Sequence, residues 1–296
     1  MKRLSKSKIN KLVEEFTEKT NNGIGKSEIK NSLLEKLNEN IEKKAILGID
    51  IYRYSQYKTF EQTLIPFLFK VLLEQTFYNC LKHEKYFFQN SNLDEIEKNF
   101  IDTGDGGFLI FDNPFNAVIF SIYFQANIKR YNSGHANTKD IREIVGLLTL
   151  RYSLTHDDIY KFSNNHYGTG IINNARILSK DKLNRFLVDS NTINWFDKEF
   201  NGIENLMSIE PDDFKSIKFF DDYEEIKDEK DRLSVLFDDK TSNFLSVDVL
   251  HIGEIKSKLD IINIYSLHLQ IQVTSGGNKK FKMYTVSLGN LNSSDL

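Results

Sequence analysis

One cysteine, Cys80, stands in 296 residues, which excludes a disulfide framework and any metal site built from cysteine. Three prolines and 15 glycines are too few for a collagen-like or low-complexity chain. Neither sign of charge dominates. The 39 Lys and Arg against 42 Asp and Glu leave a net charge of -3, so no global basic field draws the chain onto nucleic-acid polymers. Long hydrophobic runs are also missing. The most apolar stretch, LIPFLFKVLL at 64–73, is too short to span a bilayer and contains Lys70. The first residues, MKRLSKSKINKLVEEF, are basic with no apolar stretch behind them, unlike a secretory signal. These absences predict a soluble, cytoplasmic protein with no direct membrane insertion. What is present, 40% hydrophobic and 27% charged residues, is ample for a folded core.

Residues 1–44 read as a pair of amphipathic helices, an N-terminal extension. Ile9, Leu12, Val13 and Phe16 form one apolar face, NNG at 21–23 breaks it, and Ile29, Leu33, Leu34, Leu37 and Ile41 form the next. AILGIDI at 45–51 has the pattern of a buried strand with one charge in it. An almost wholly apolar helix follows over about 62–81, with Pro66 expected in its first turn. FIDTGDGGFLIF at 100–111 reads as a hairpin around Asp105-Gly106, and Asn113-Pro114 starts a helix with Phe115, Val118, Ile119, Ile122 and Tyr123 as its stripe. A strand is expected at 147–154, a helix after Gly168-Thr169-Gly170, and a short strand at 186–188. Residues 200–248 read as an acidic, irregular insertion, 250–273 as strand, and 273–296 as a tail with a frayed end. The order strand, helix, hairpin, helix, strand predicts an α+β fold of the ferredoxin-like, polymerase-palm βαββαβ type over 45–272.

Several familiar motifs fail. Gly25-Lys26-Ser27 has Thr20 where a phosphate loop needs glycine, and no strand precedes it. Gly168-Thr169-Gly170 lacks the third glycine of a dinucleotide fingerprint. The six histidines have no HExxH spacing, and His156 beside Asp157 and Asp158 reads as an exposed loop residue. Cys80 reads as a packed thiol.

Two aspartates are more informative. Alone, Asp50 reads as a strand-end cap and Asp105 as a turn residue. In a βαββαβ sheet, however, the first strand and the hairpin are neighbours, so the two carboxylates meet at one end of the sheet. They repel there unless a divalent cation lies between them, and paired aspartates on two metals are a device for in-line phosphoryl transfer.

The residues Gly48-Ile49-Asp50-Ile51-Tyr52-Arg53-Tyr54-Ser55 resemble the first-strand motif of class III nucleotidyl cyclases. Thr103-Gly104-Asp105-Gly106 resembles their metal-binding hairpin, and 150–156 their following central strand. The segment 168–178 is similar to the helix that carries the family's Asn and transition-state Arg, and Lys256-Ser257-Lys258 to its basic strand. The resemblance implies a homodimer with interfacial sites, in which Asp50, Asp105 and the Ile51 carbonyl hold two Mg²⁺ or Mn²⁺ ions. It implies that Arg176 and Asn173 serve catalysis from the other subunit. Tyr52, Arg53, Tyr54, Ser55, Gly104, Thr169 and Lys256 would contact the nucleoside triphosphate. There are departures. Ile172 occupies the family's Asn position, so Asn173 is the substitute, and Ile101 and Thr169 occupy the two purine-reading positions. These departures resemble the pyrimidine cyclases of antiphage (Pycsar) defence, which implies cUMP or cCMP made from UTP or CTP for a separate cyclic-nucleotide-sensing effector. A purine cyclase of signalling and a catalytically silent dimerisation module are the alternatives. A diguanylate-cyclase-like domain ranks below them because the hairpin lacks GG[DE]EF.

Overall fold

The computed structural model describes residues 41–134, 139–162, 165–224, 234–237, 243–256, 261–277, 280–294 and 296, with positions 7, 10, 11, 14 and 17. Those five N-terminal positions are helical and exposed. The apolar faces expected over 9–37 lie outside the described residues. Ile41, expected to close the second helix, instead opens the first strand.

In chain order the elements are β1 (Ile41–Ile51), α1 (Thr59–His83), α2 (Leu93–Asn99), β2 (Phe100–Asp102), β3 (Gly106–Phe111), α3 (Pro114–Asn132), α4 (Lys139–Val145) and β4 (Leu150–Phe162). Then come β5 (Asn165–Tyr167), α5 (Thr169–Lys180), β6 (Phe186–Asp189), α6 (Ser190–Phe200), β7 (Phe244–Lys256), β8 (Ile261–Gly277) and β9 (Lys280–Leu288). The sheet runs β2-β3-β1-β4-β6-β8-β7, with β5 on β4 and β9 on β8. Its first four strands, with α1 and α3, are the expected βαββαβ unit.

Strand alternation sorts β1 between two layers. Ala45, Leu47, Ile49 and Ile51 join the main core with residues of α1 and α3, while Ile46 packs with Phe108, Ile110 and Ile159 against Ile171 and Leu178 of α5. By the same period, Gly48 and Asp50 belong to the α5 face. At Gly48 this has a steric reason: an added Cβ would overlap Asn174 Oδ1 and Ser153 Oγ. Asn174 is buried on α5, where its amide donates to the Ile46 carbonyl at 2.6 Å and its Oδ1 accepts from Ser153 Oγ at 2.6 Å.

Four expectations need correction. Pro66 lies well inside α1, not in its first turn. The carbonyl its missing N–H would have met, that of Gln62, accepts from the Tyr54 hydroxyl at 2.8 Å instead. His156 is a residue of β4, paired with Ala45 and close to Trp195, not an exposed loop residue. The described part of 200–248 is no solvated insertion. Ile203, Leu206, Phe214, Phe220, Leu236 and Phe237 are buried, and Phe214 meets Phe87 at 4.8 Å between ring centres. Residues 273–296 are no loose tail, since β9 pairs with β8. Beyond it, Asn290 donates to the Leu183 and Asn184 carbonyls, and the Ser294 carbonyl accepts from Arg185 at 2.5 Å.

Candidate active site

The hairpin delivers Asp105 to Asp50. Asp50 pairs in register with Gly106, and the Ile51 amide donates to the Asp105 carbonyl at 2.9 Å. The turn's positive φ falls on Gly104, at 89°, rather than on Gly106, and the Gly104 amide is held by Asp102 Oδ1 at 2.7 Å. Both aspartates line one cleft of about 340 Å³ with Ile51, Tyr52, Arg53, Tyr54 and Ser55.

Arg151 was absent from the sequence-based site and is central to it. It faces Asp50 across the β1–β4 pair, and both Nε (2.7 Å) and Nη2 reach the same oxygen, Oδ2. Its Nη1 is anchored on the Asp181 carbonyl at 2.6 Å. Burial pushes the Asp50 carboxyl above its ordinary range; Arg151 opposes this, and neighbouring Asp105 adds to it. The signal for Arg151 lay in strand register, since Asp50 and Arg151 are opposed only when β1 and β4 run antiparallel. Lys182 and Ser179, just past and within the last turn of α5, also line the cleft and were missed.

After Ile51 the chain turns through Arg53, whose φ of 60° is left-handed, into a 3-10 turn at Tyr54–Gln56. The Tyr52 amide, expected among the phosphate contacts, donates to the Thr149 carbonyl at 2.8 Å. The amides of Arg53, Tyr54 and Ser55 open that 3-10 turn, where backbone N–H groups have no partner within the turn. Arg53 and Arg151 both stand near the Tyr52 ring, at 5.0 and 5.8 Å. The Tyr52 hydroxyl donates to the Lys182 carbonyl at 3.2 Å.

The remaining predicted residues lie elsewhere in the single chain. Arg176 and Asn173 share a face of α5, where Arg176 Nη1 donates to Asn173 Oδ1 at 3.2 Å and Asn173 donates to Asp157 at 3.3 Å. Neither lines the Asp50 cleft. Thr169 is exposed at the start of α5, and Lys256 is exposed at the end of β7. Ile172, in the family's Asn position, is 52% exposed.

Two carboxylates and a backbone carbonyl are hard oxygen donors of the kind that suit Mg²⁺ or Mn²⁺. The fit is one of placement, because Asp50, Asp105 and Ile51 all line the same cleft. Among the described residues there is no cluster of three or more His, Cys, Asp or Glu side chains placed to hold a metal. No described helix is long and apolar enough to cross a membrane.

No protein-family model and no curated protein matches the chain. Solved structures do resemble it. The guanylyl cyclase Cya2 is 11% identical with a TM-score of 0.44, over 77% of this chain and 92% of that one. The catalytic core of a rhodopsin-guanylyl cyclase with converted specificity, in complex with ATPalphaS, is 11% identical with a TM-score of 0.44, over 76% and 95%. An adenylate/guanylate cyclase/hydrolase from Silicibacter pomeroyi is 13% identical with a TM-score of 0.40, over 76% and 96%. Likeness at this level assigns no activity.

Proposed function

We propose that this protein is a class III nucleotidyl cyclase that converts a nucleoside triphosphate to a 3′,5′-cyclic mononucleotide and pyrophosphate. The observation that carries the reading is the meeting of Asp50 and Asp105 in one cleft, at the junction of the first strand and the hairpin. Asp50, Asp105 and the Ile51 carbonyl would hold Mg²⁺ or Mn²⁺. When bound, the metal supplies charge neutralisation at the phosphates and lowers the pKa of the attacking 3′-hydroxyl. The chain's own residues orient the substrate. Arg151 fixes the Asp50 carboxylate, and the Arg53–Ser55 amides would receive the β- and γ-phosphates, with Lys182 adding positive charge at the cleft wall.

Arg176 and Asn173 would act on the cleft of a second copy, stabilising charge that develops at the α-phosphate. Their separation from Asp50 within one chain supports a homodimer with shared sites, to which Thr169 and Lys256 would also contribute. The pyrimidine reading rests on Ile101. Its side chain packs beside the Ile46–Phe108–Ile110–Ile159 cluster and offers no hydrogen bond to a purine edge. With UTP or CTP as substrate, the cyclic product would serve a separate effector in antiphage defence.

A second reading has one observation of its own. A guanidinium on Asp50 Oδ2 also suits a catalytically silent cyclase fold, in which Arg151 stands in for a cation. Turnover of each of the four nucleoside triphosphates with Mn²⁺, resolved by product, separates the two. Cyclic pyrimidine nucleotide with pyrophosphate is expected. No turnover with any of them favours the silent fold, and a cyclic purine product would overturn the pyrimidine assignment alone.

A further inference from the structure

The loop that joins α5 to β6, residues 181–185, meets the Asp50 cleft with its backbone. The Asp181 carbonyl accepts from Arg151 Nη1 at 2.6 Å, and the Lys182 carbonyl accepts from the Tyr52 hydroxyl at 3.2 Å. At the far end of the loop the Arg185 carbonyl accepts from the amide of Tyr152, the β4 residue next to Arg151, at 3.2 Å. Arg151 in turn grips Asp50 Oδ2 through both Nε and Nη2. A carboxylate held by a forked guanidinium has little freedom to rotate, so the direction of Asp50 depends on where the Asp181 carbonyl points.

That carbonyl is fixed from two sides. From within, the buried Asp181 side chain closes the loop on itself. Its Oδ1 accepts from the Leu183 amide at 3.1 Å and from Arg185 Nε at 3.0 Å, and its Oδ2 from the Arg185 amide at 2.7 Å. Asn184, inside this ring, is left-handed at φ 44°, a conformation that a non-glycine residue keeps where its surroundings impose it.

From outside, the segment that follows β9 holds the same loop. Asn290 Nδ2 donates to the Leu183 carbonyl at 2.5 Å and to the Asn184 carbonyl at 3.1 Å. The Ser294 carbonyl accepts from Arg185 Nη1 at 2.5 Å. Directed hydrogen bonds therefore run without a break from Asn290 and Ser294, through the loop and Arg151, to Asp50. The loop also presents Lys182 to the cleft, so a shift in the segment would move the anchor of Arg151 and this lysine together.

We propose that Arg185 and Asn290 are positioning residues for Asp50, and that the grip of the 290–294 segment on the 181–185 loop sets how well the cleft holds a divalent cation. Neither residue lines the cleft itself. The proposal rests on the reading of Asp50 as a metal ligand.

The test titrates Mn²⁺ alone into the full chain, with free Mn²⁺ read by electron paramagnetic resonance. Asn290→Asp keeps the size of the side chain but turns oxygen toward two carbonyls. It should weaken Mn²⁺ binding about tenfold, the lower end of the loss when groups behind a metal ligand are changed. Leu291→Ala, 66% exposed on the same segment, should leave the affinity unchanged. A double-mutant cycle in urea tests the coupling without metal. Asn290→Asp should shift the unfolding midpoint less in an Arg151→Met background than in the unaltered chain, because part of what it disturbs is already gone. Circular dichroism checks that each variant folds, and Asn290→Ala supplies a milder second measurement. Unchanged Mn²⁺ affinity in folded Asn290→Asp, an equal loss with Leu291→Ala, or additive midpoint shifts would each overturn the proposal. Absence of Mn²⁺ binding by the unaltered chain would instead refute the metal reading of Asp50, and the cycle would still decide whether the segment positions Arg151.

Discussion

Arg151 places two nitrogens on a single oxygen of Asp50 and its third on the Asp181 carbonyl. The carboxylate that the proposed chemistry needs is therefore held by a residue on the next strand, itself braced from a loop. Asp181 continues the chain of contacts. Its carboxylate binds the Arg185 backbone amide at 2.7 Å and the Arg185 Nε at 3.0 Å, in an ion pair that is almost fully buried.

Arg151→Met should lower stability by about 1–3 kcal/mol, because it leaves a largely buried carboxylate beside Asp105 without its counter-charge. Arg151→Lys should recover only part of this, since one ammonium cannot reproduce three directed donors. Urea unfolding measures both. A shift in midpoint at constant slope is the expected form.

Asp105→Ala should abolish Mn²⁺-dependent turnover while the chain stays folded and associated, as read by product analysis and size-exclusion chromatography. Retained turnover would contradict the metal role of this hairpin residue.

Glu84 makes a pH prediction. It is buried, accepts from the Tyr123 hydroxyl at 2.6 Å, from Ser234 and from the Val235 and Leu236 amides, and is still pushed up to about 7 by burial. The folded state thus keeps this proton to higher pH than the unfolded chain, whose carboxyl titrates near 4.5. Its contribution to stability is complete below about 4.5 and is lost as pH rises to about 7. Asp189, also held at about 7, acts in the same sense. Glu84→Gln mimics the protonated form, so its Tm relative to the unaltered chain should rise from pH 4.5 to 7.5. A constant difference would refute the assignment.

Gly48→Ala should cost about 1–3 kcal/mol, the range for overpacking a filled interior, because the new methyl overlaps Asn174 and Ser153. Thermal unfolding reads the loss.

Deleting residues 289–296 should also destabilise the fold, although these residues read in the sequence as a frayed end. Removal of the Ser294 carbonyl takes a partner from the Arg185 guanidinium, which is 1% exposed. A cost of about 1–3 kcal/mol in urea unfolding is expected for a buried donor left unmade.

The βαββαβ unit was legible because each of its elements carries a local signal: alternation in β1, Gly104 and Gly106 around the hairpin, and Asn113-Pro114 at a helix start, where Asn113 Oδ1 does accept from the Asn116 amide at 2.8 Å. Asp50 and Asp105 could be brought together from topology alone. What escaped has no local period. Phe214, Phe220 and Phe237 are buried by long-range aromatic packing, yet lie among acidic residues in irregular turns that show neither a helical nor a strand repeat. Arg151 meets Asp50 only through the pairing and register of β1 and β4, and one-dimensional spacing does not contain that. Pro66 was misplaced because its rescue comes from the side chain of Tyr54, outside the helix.

The lock between Gly48 and Asn174 bears on how two copies of this chain would close around a nucleotide. Asn174 also engages the Ser153 carbonyl and Thr155 Oγ1, so a slide of α5 along the sheet would break this whole set of hydrogen bonds at once. The directions in which Arg176 and Asn173 leave that helix are therefore fixed relative to β1. Any tightening of a shared site would come from the rocking of whole subunits, with the helix and sheet travelling as one rigid piece.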